Sequence, residues 1–210
     1  MRTIVSVRSI ATSQEESQKH IFELAFAVML SRIHVMGNYW HEHSDKPTRL
    51  GELVAAAKDH HSEDALAMLQ SRLHQFASSL ELAPTPSTEH HPTTPATPIV
   101  ADVPNGPNAN PQLMPMLTYA VAQACGTTPT RLLQKTNPAA SMRGTPTKQR
   151  SAVVEAQQYT ITRPVQGQHV VLVDDVVLTE TTLRHLARML TQTGACTVEA
   201  VVAARTRLLV

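Results

Sequence analysis

The sequence predicts an α/β fold, a parallel-sheet domain preceded by a small all-helical segment. Three observations carry that prediction. From about residue 97 onward, short β-branched apolar runs alternate with stretches whose apolar residues recur at helical spacing. Before residue 83 the spacing is helical throughout. Between Pro84 and Pro115 lie 9 of the chain's 14 prolines, interspersed with threonines, and they separate the two patterns. The organisation that follows is a helical segment over 1–82, a Pro/Thr-rich linker over 83–96 and an α/β domain over 97–210.

In the first segment, Ser13 and Glu16 stand at capping-box spacing. Phe22, Ala25, Phe26, Met29, Leu30 and Ile33 then form a helical stripe that Gly37 and Asn38 would stop. A second helix is expected from Thr48 to Lys58. Ser62 caps a third, whose first turn holds Glu63 and Asp64, where negative charge meets the positive end of the helix dipole. Its stripe is Leu66, Leu69, Leu73, Phe76 and Leu80. The second and third helices invite a helix-turn-helix reading, which Glu63 and Asp64 oppose because phosphates repel carboxylates. Neither His41 and His43 nor His60 and His61 has partners at the spacing of a zinc site, so these read as surface histidines.

In the second domain, Ile99–Val103 is a short strand ended by Pro104, and a helix carrying Leu113, Leu117, Ala120, Val121 and Ala124 stops at Gly126. Arg131–Gln134 and Tyr159–Thr162 are short strands, with a basic polar stretch between them. His169–Val173 lacks alternation, as expected of a parallel strand buried on both faces, and it runs into Asp174 and Asp175. A helix through Leu183, Leu186, Ala187 and Leu190 breaks at Gly194, and Thr197–Ala203 is a last buried strand.

Composition excludes several classes. The 210 residues include only 7 aromatics, too few for stacking platforms on single-stranded nucleic acid. Two cysteines, Cys125 and Cys196, support neither a disulfide framework nor a four-cysteine zinc site. No apolar run is long enough for a membrane span, and Met1–Ile10 lacks the apolar core of a signal peptide, so a soluble cytoplasmic protein without membrane contact is expected. The overall charge of +1 is uneven: residues 112–210 hold 10 Lys/Arg against 5 Asp/Glu. That surplus suits an anionic ligand or is a solvated basic face.

An apolar strand, two carboxylates, a hydroxyl-rich turn and a helix make a chemical arrangement. The helix N-terminus offers N–H groups to a phosphate, and carboxylates at a strand end accept hydrogen bonds from sugar hydroxyls or hold magnesium. Asp174 and Asp175 with Thr179, Thr181 and Thr182 therefore fit a ribose 5-phosphate. Equally, an Asp pair there can simply cap the next helix.

Val170 to Leu183 resembles the type I phosphoribosyltransferase signature, in which an apolar strand leads into D-D-V-V-T-T-G-A-T-L and a helix. The continuation through Gly194 and Ala195 to Arg205 is similar to the ComF group, phosphoribosyltransferase-like proteins associated with DNA uptake. Ile99–Pro104 resembles that group's first strand, and Arg143–Arg150 weakly resembles its Thr/Gln/Arg stretch. The resemblance implies a phosphoribosyltransferase-like fold that binds phosphoribosyl pyrophosphate or a nucleotide 5-phosphate, with magnesium when active. By that resemblance Asp174 and Asp175 would hold the ribose and serve catalysis. Thr179, Glu180, Thr181 and Thr182 would form the phosphate loop, and Arg143, Lys148 or Arg150 would meet the pyrophosphate. No residue is assigned as a metal ligand.

The departures are informative. Glu180 replaces the loop glycine, whose missing side chain permits close backbone approach and positive φ. At about 4 Å two unit charges repel by roughly 1 kcal/mol in water and about 4 kcal/mol at an effective dielectric of 20. Leu178 replaces a threonine, and Asn105–Asn108 offers no cation to a pyrophosphate. Three readings follow. The first is a phosphoribosyltransferase-like protein with weakened or lost catalysis that binds a ribose phosphate or serves as an assembly module. The second is an active phosphoribosyltransferase using phosphoribosyl pyrophosphate and magnesium. The third is a DNA-binding, competence-related protein. Apolar stripes on the N-terminal helices also raise the expectation of a homo-oligomer.

Overall fold

A computed structural model describes residues 30–82, 97–105, 110–136, 146–156 and 158–207. The capping box at Ser13, most of the first predicted stripe and the 83–96 linker lie outside these residues.

Four parallel strands form the central sheet in the order β1 (Arg32–Val35), β6 (Thr197–Arg205), β5 (His169–Val177), β2 (Ile99–Asp102). Hydrophobic clusters fill both faces. On one side pack α1 (Arg49–Lys58), α2 (Glu63–Ser78) and α3 (Leu113–Ala124). On the other lie α5 (Thr181–Gln192), Val154 of α4 (Arg150–Ala156) and a two-stranded antiparallel hairpin of β3 (Leu133–Lys135) and β4 (Tyr159–Ile161). The central strands accordingly have no wet face, and Val170 to Val173 are all fully buried.

The two helices form where the sequence predicts them, the second behind its predicted cap Ser62 and the first behind Thr48, which stands as a cap rather than as the first helical residue. Thr48 Oγ1 accepts the Gly51 N–H at 3.0 Å and Ser62 Oγ accepts the Ala65 N–H at 3.3 Å. Leu66, Leu69 and Leu73 sink into the cluster that also holds Val171 and Val201, so the α2 stripe packs within its own chain.

The expected helix through Leu30 and Ile33 is corrected. Arg32–Val35 is an edge strand paired with Glu199–Val202. Its period is two: Ile33 and Val35 pack against the core, while His34 reaches Glu199 at 2.8 Å. Unpaired backbone groups on the open edge of β6 decide the matter, because a strand satisfies them and a helix cannot.

Two further differences concern the strands. The runs at 131–134 and 159–162 pair with each other rather than joining the parallel sheet. β5 extends past the predicted 173 to Val177, because Asp174, Val176 and Val177 stay in register with Val202, Ala204 and Arg205. The two acids thus sit inside the strand's last turns, not after it.

Candidate functional site

Neighbouring strands β2 and β5 send their chains to opposite faces of the sheet, β2 towards α3 and β5 towards α5. Such a reversal leaves a crevice at the carboxyl ends of the strands, where ligands of parallel sheets bind. Asp102 closes β2, Asp174 and Asp175 lie in the last residues of β5, and Arg205 closes β6, all towards that edge. A cleft of about 610 Å³ opens on the outer side of Asp102, lined also by Asn105, Asn110, Thr130 and Arg131. Burial pushes the Asp102 carboxyl above the usual carboxylate range.

Strand alternation gives the two acids different surroundings. Asp175 turns beneath α1 and is 3% exposed. Lys58, the last residue of α1, brings its ammonium to 2.5 Å from Asp175 Oδ2, an ion pair with the buried carboxylate. Burial is the largest single influence and would lower the Lys58 pKa, but the charge and hydrogen bond of Asp175 together with the charges of Asp174 and Asp59 outweigh it and hold the ammonium above the ordinary lysine range. Asp174 Oδ1 accepts the Asp175 N–H at 2.9 Å. Burial drives the Asp174 carboxyl well up, the Asp175 charge adds to this, and Lys58 offsets part of it. Tyr159 of β4 lies within reach of that charge, and burial with Asp174 beside it pushes the phenol up to about 12.

The loop after β5 folds onto itself. Thr179 and Thr181 hydroxyls meet at 3.0 Å. Glu180 takes φ +56°, the left-handed conformation for which glycine would be the default, and its side chain does not cap α5. Instead its carboxylate accepts hydrogen bonds from Arg184 at 2.7 Å and Arg205 at 2.9 Å. Burial works against the charge, yet these two guanidinium groups hold the Glu180 carboxyl below its ordinary value. The charge that would repel a phosphate is therefore already matched. Thr181 and Thr182 open α5, half-buried, at the helix end whose free N–H groups favour negative charge.

Of the residues expected at the pyrophosphate, Arg143 lies outside the described residues. Lys148 is exposed on a short 3-10 turn (Thr147–Gln149) and Arg150 begins α4. The acids do not fit a magnesium ion held by side chains: among the described residues no three His, Cys, Asp or Glu converge, and Asp175 already faces an ammonium. Also among the described residues, no helix is long and apolar enough to cross a membrane.

Sequence reasoning missed Lys58 and Arg184. A lysine at a helix C-terminus reads as a dipole complement and an arginine four residues after a glutamate as a surface pair, and neither pattern points to a site.

Residues 134–207 match the phosphoribosyl transferase domain. That stretch contains both acids, the whole 179–182 loop, Arg184 and Arg205, whereas Lys58 stands outside it. Solved structures are similar in part. The allosteric regulatory enzyme of purine biosynthesis is 20% identical with a TM-score of 0.41, over 66% of this chain and 26% of that one. The chain thus spans about a quarter of that enzyme's length. A hypoxanthine phosphoribosyltransferase from Staphylococcus aureus is 13% identical with a TM-score of 0.34, over 67% and 62% of the two chains. The Trypanosoma cruzi hypoxanthine phosphoribosyl transferase is 16% identical with a TM-score of 0.36, over 77% and 69%. No curated protein matches by sequence.

Proposed function

We propose that the phosphoribosyltransferase-type domain binds a ribose 5-phosphate group, as phosphoribosyl pyrophosphate or a nucleotide 5-phosphate, with catalysis weakened or lost. One juxtaposition carries this reading. Within the matched stretch, Asp174 at the end of β5 lies a short loop away from the hydroxyl-rich start of α5, at the crevice where the chain reverses. Asp174 accepts sugar hydroxyls, and Thr179, Thr181, Thr182 and the first N–H groups of α5 take the phosphate. Loss of catalysis is supported by Lys58 on the second acid and by Glu180 at the glycine position. A retained binding or assembly role within the ComF-type group is supported by the resemblance over 169–204.

A second reading, an active transferase using magnesium, is favoured by one observation: the Glu180 charge is matched by Arg184 and Arg205. Thermal shift separates the readings. The unmodified protein and Glu180→Gly are melted with ribose 5-phosphate and with phosphoribosyl pyrophosphate, with and without magnesium. Ligand at 100 times its dissociation constant stabilises by about 2.7 kcal/mol, which melting resolves. A rise with ribose 5-phosphate supports binding, and pyrophosphate release with a nitrogenous base supports the active enzyme. No rise in either protein sinks the phosphate site.

A further inference from the structure

The cation at the second acid is supplied by the chain itself. Lys58 comes from the helical segment, outside the stretch that matches the phosphoribosyl transferase domain. Its position is built by several contacts. Thr48 caps the start of α1, Val54 and Ala57 are fully buried beneath it, and the buried Asn110 Nδ2 donates to the Ala57 carbonyl at 2.7 Å. That last bond ties the end of α1 to the residues leading into α3, one residue before Lys58. The Asp175 side chain is 4% exposed and Lys58 31%, so the ammonium stands between the carboxylate and solvent.

A buried carboxylate requires a counter-ion, and one already neutralised by an ammonium has little attraction left for a divalent cation. We propose that Lys58 is a built-in counter-cation that takes the place of a divalent metal at Asp175. Resting on the phosphate-site reading above, this adds that a ribose phosphate bound at this edge is held without magnesium.

The test uses manganese alone, read by electron paramagnetic resonance, on the unmodified protein, Lys58→Gln and Lys58→Gln/Asp175→Asn. The unmodified protein is expected to show no manganese site. Lys58→Gln is expected to bind manganese at least about tenfold more tightly, because the repelling charge is gone and two acids remain. The double variant is expected to lose that gain. If Lys58→Gln folds poorly, manganese is expected to raise its melting temperature and leave the double variant unchanged.

Tight manganese binding by the unmodified protein that Asp175→Asn removes would overturn the proposal. So would a Lys58→Gln protein that manganese neither binds nor stabilises. Ribose 5-phosphate is titrated separately, with chelator and with magnesium. If it binds nowhere while Lys58→Gln gains manganese, the phosphate-site reading fails and the counter-cation stands. If it binds only with magnesium, the counter-cation fails and the phosphate site stands.

Discussion

Glu180 accepts a hydrogen bond from Arg205 at 2.9 Å, joining the start of α5 to the end of β6. The same carboxylate takes Arg184 one turn into α5, so a residue in a glycine's conformation carries two ion pairs. The two effects oppose each other. A left-handed non-glycine residue costs about 1 kcal/mol. Two pairs to guanidinium groups that are 42% and 48% exposed contribute under about 1 kcal/mol each.

Glu180→Gly is therefore expected to leave stability nearly unchanged, because relief of the backbone offsets the lost pairs. Glu180→Gln keeps the strain and loses the charge, so it should be less stable than Glu180→Gly by about 1 kcal/mol. Urea unfolding of the three proteins reads the order. A Glu180→Gln protein as stable as Glu180→Gly would mean that the backbone there is unstrained.

Acid separates the charge from the backbone. The folded-state pKa of Glu180 lies below its unfolded value, so its pairs stabilise above the ordinary glutamate range, about 4.3, and are lost as pH falls through the lower folded value. The unmodified protein should exceed Glu180→Gln in stability at pH 7, and the gap should close towards pH 3. A gap that stays constant across that range would assign the effect to shape rather than charge.

Much of this was legible from residue order, and the exceptions share a cause. Ser62 announces its helix because a cap is a contact across three residues. Val170–Val173 announces a buried strand because both its faces are apolar. Ile33 misleads, since its spacing fits a helix and only the distant edge of β6 makes it a strand. Asp175 and Lys58 are each ordinary in their own neighbourhoods. Their pairing arises because α1 ends over β5, which is a fact of tertiary packing. The positive φ at Glu180 was visible only as a glutamate standing in a glycine's place.

Asp174 gives the opposite pH signature. Its folded pKa is raised, first by burial and then by the Asp175 charge, so the folded state prefers it protonated. Its ionisation destabilises the fold progressively as pH rises from about 4, the unfolded value, towards the higher folded one. Asp174→Asn, which keeps an oxygen to accept the Asp175 N–H, should be more stable than the unmodified protein at pH 8 and equal to it at pH 3. Denaturation midpoints at the two pH values decide this. Equal midpoints at both would mean that Asp174 titrates as an exposed carboxyl.

Leu69 tests whether the helical segment and the sheet unfold together. It is fully buried on α2, in the same cluster as Val171 of β5 and Val201 of β6. Leu69→Ala should destabilise by about 2–5 kcal/mol through lost burial and the cavity left behind. Because one core spans both parts, circular dichroism and tryptophan fluorescence from Trp40 should move together in a single transition. Two separated transitions would show that α1 and α2 fold apart from the sheet.

Gly51 is held by space rather than by φ. A Cβ there would run into the Tyr39 carbonyl and sit 3.2 Å from Pro47 Cβ. Those residues belong to the turn that delivers the chain from β1 to α1, where the Tyr39 carbonyl also accepts the Thr48 N–H at 2.9 Å. Alanine favours a helix over glycine by about 1 kcal/mol, but overpacking against backbone costs about 1–3 kcal/mol. Gly51→Ala should accordingly lower the melting temperature, and by displacing α1 it should also weaken the hold of Lys58 on Asp175. The second effect is read by manganese: a Gly51→Ala protein that melts lower should also bind the ion more tightly than the unmodified protein. Equal melting temperatures would show that the turn yields without cost, and α1 would then stay in place with manganese affinity unchanged.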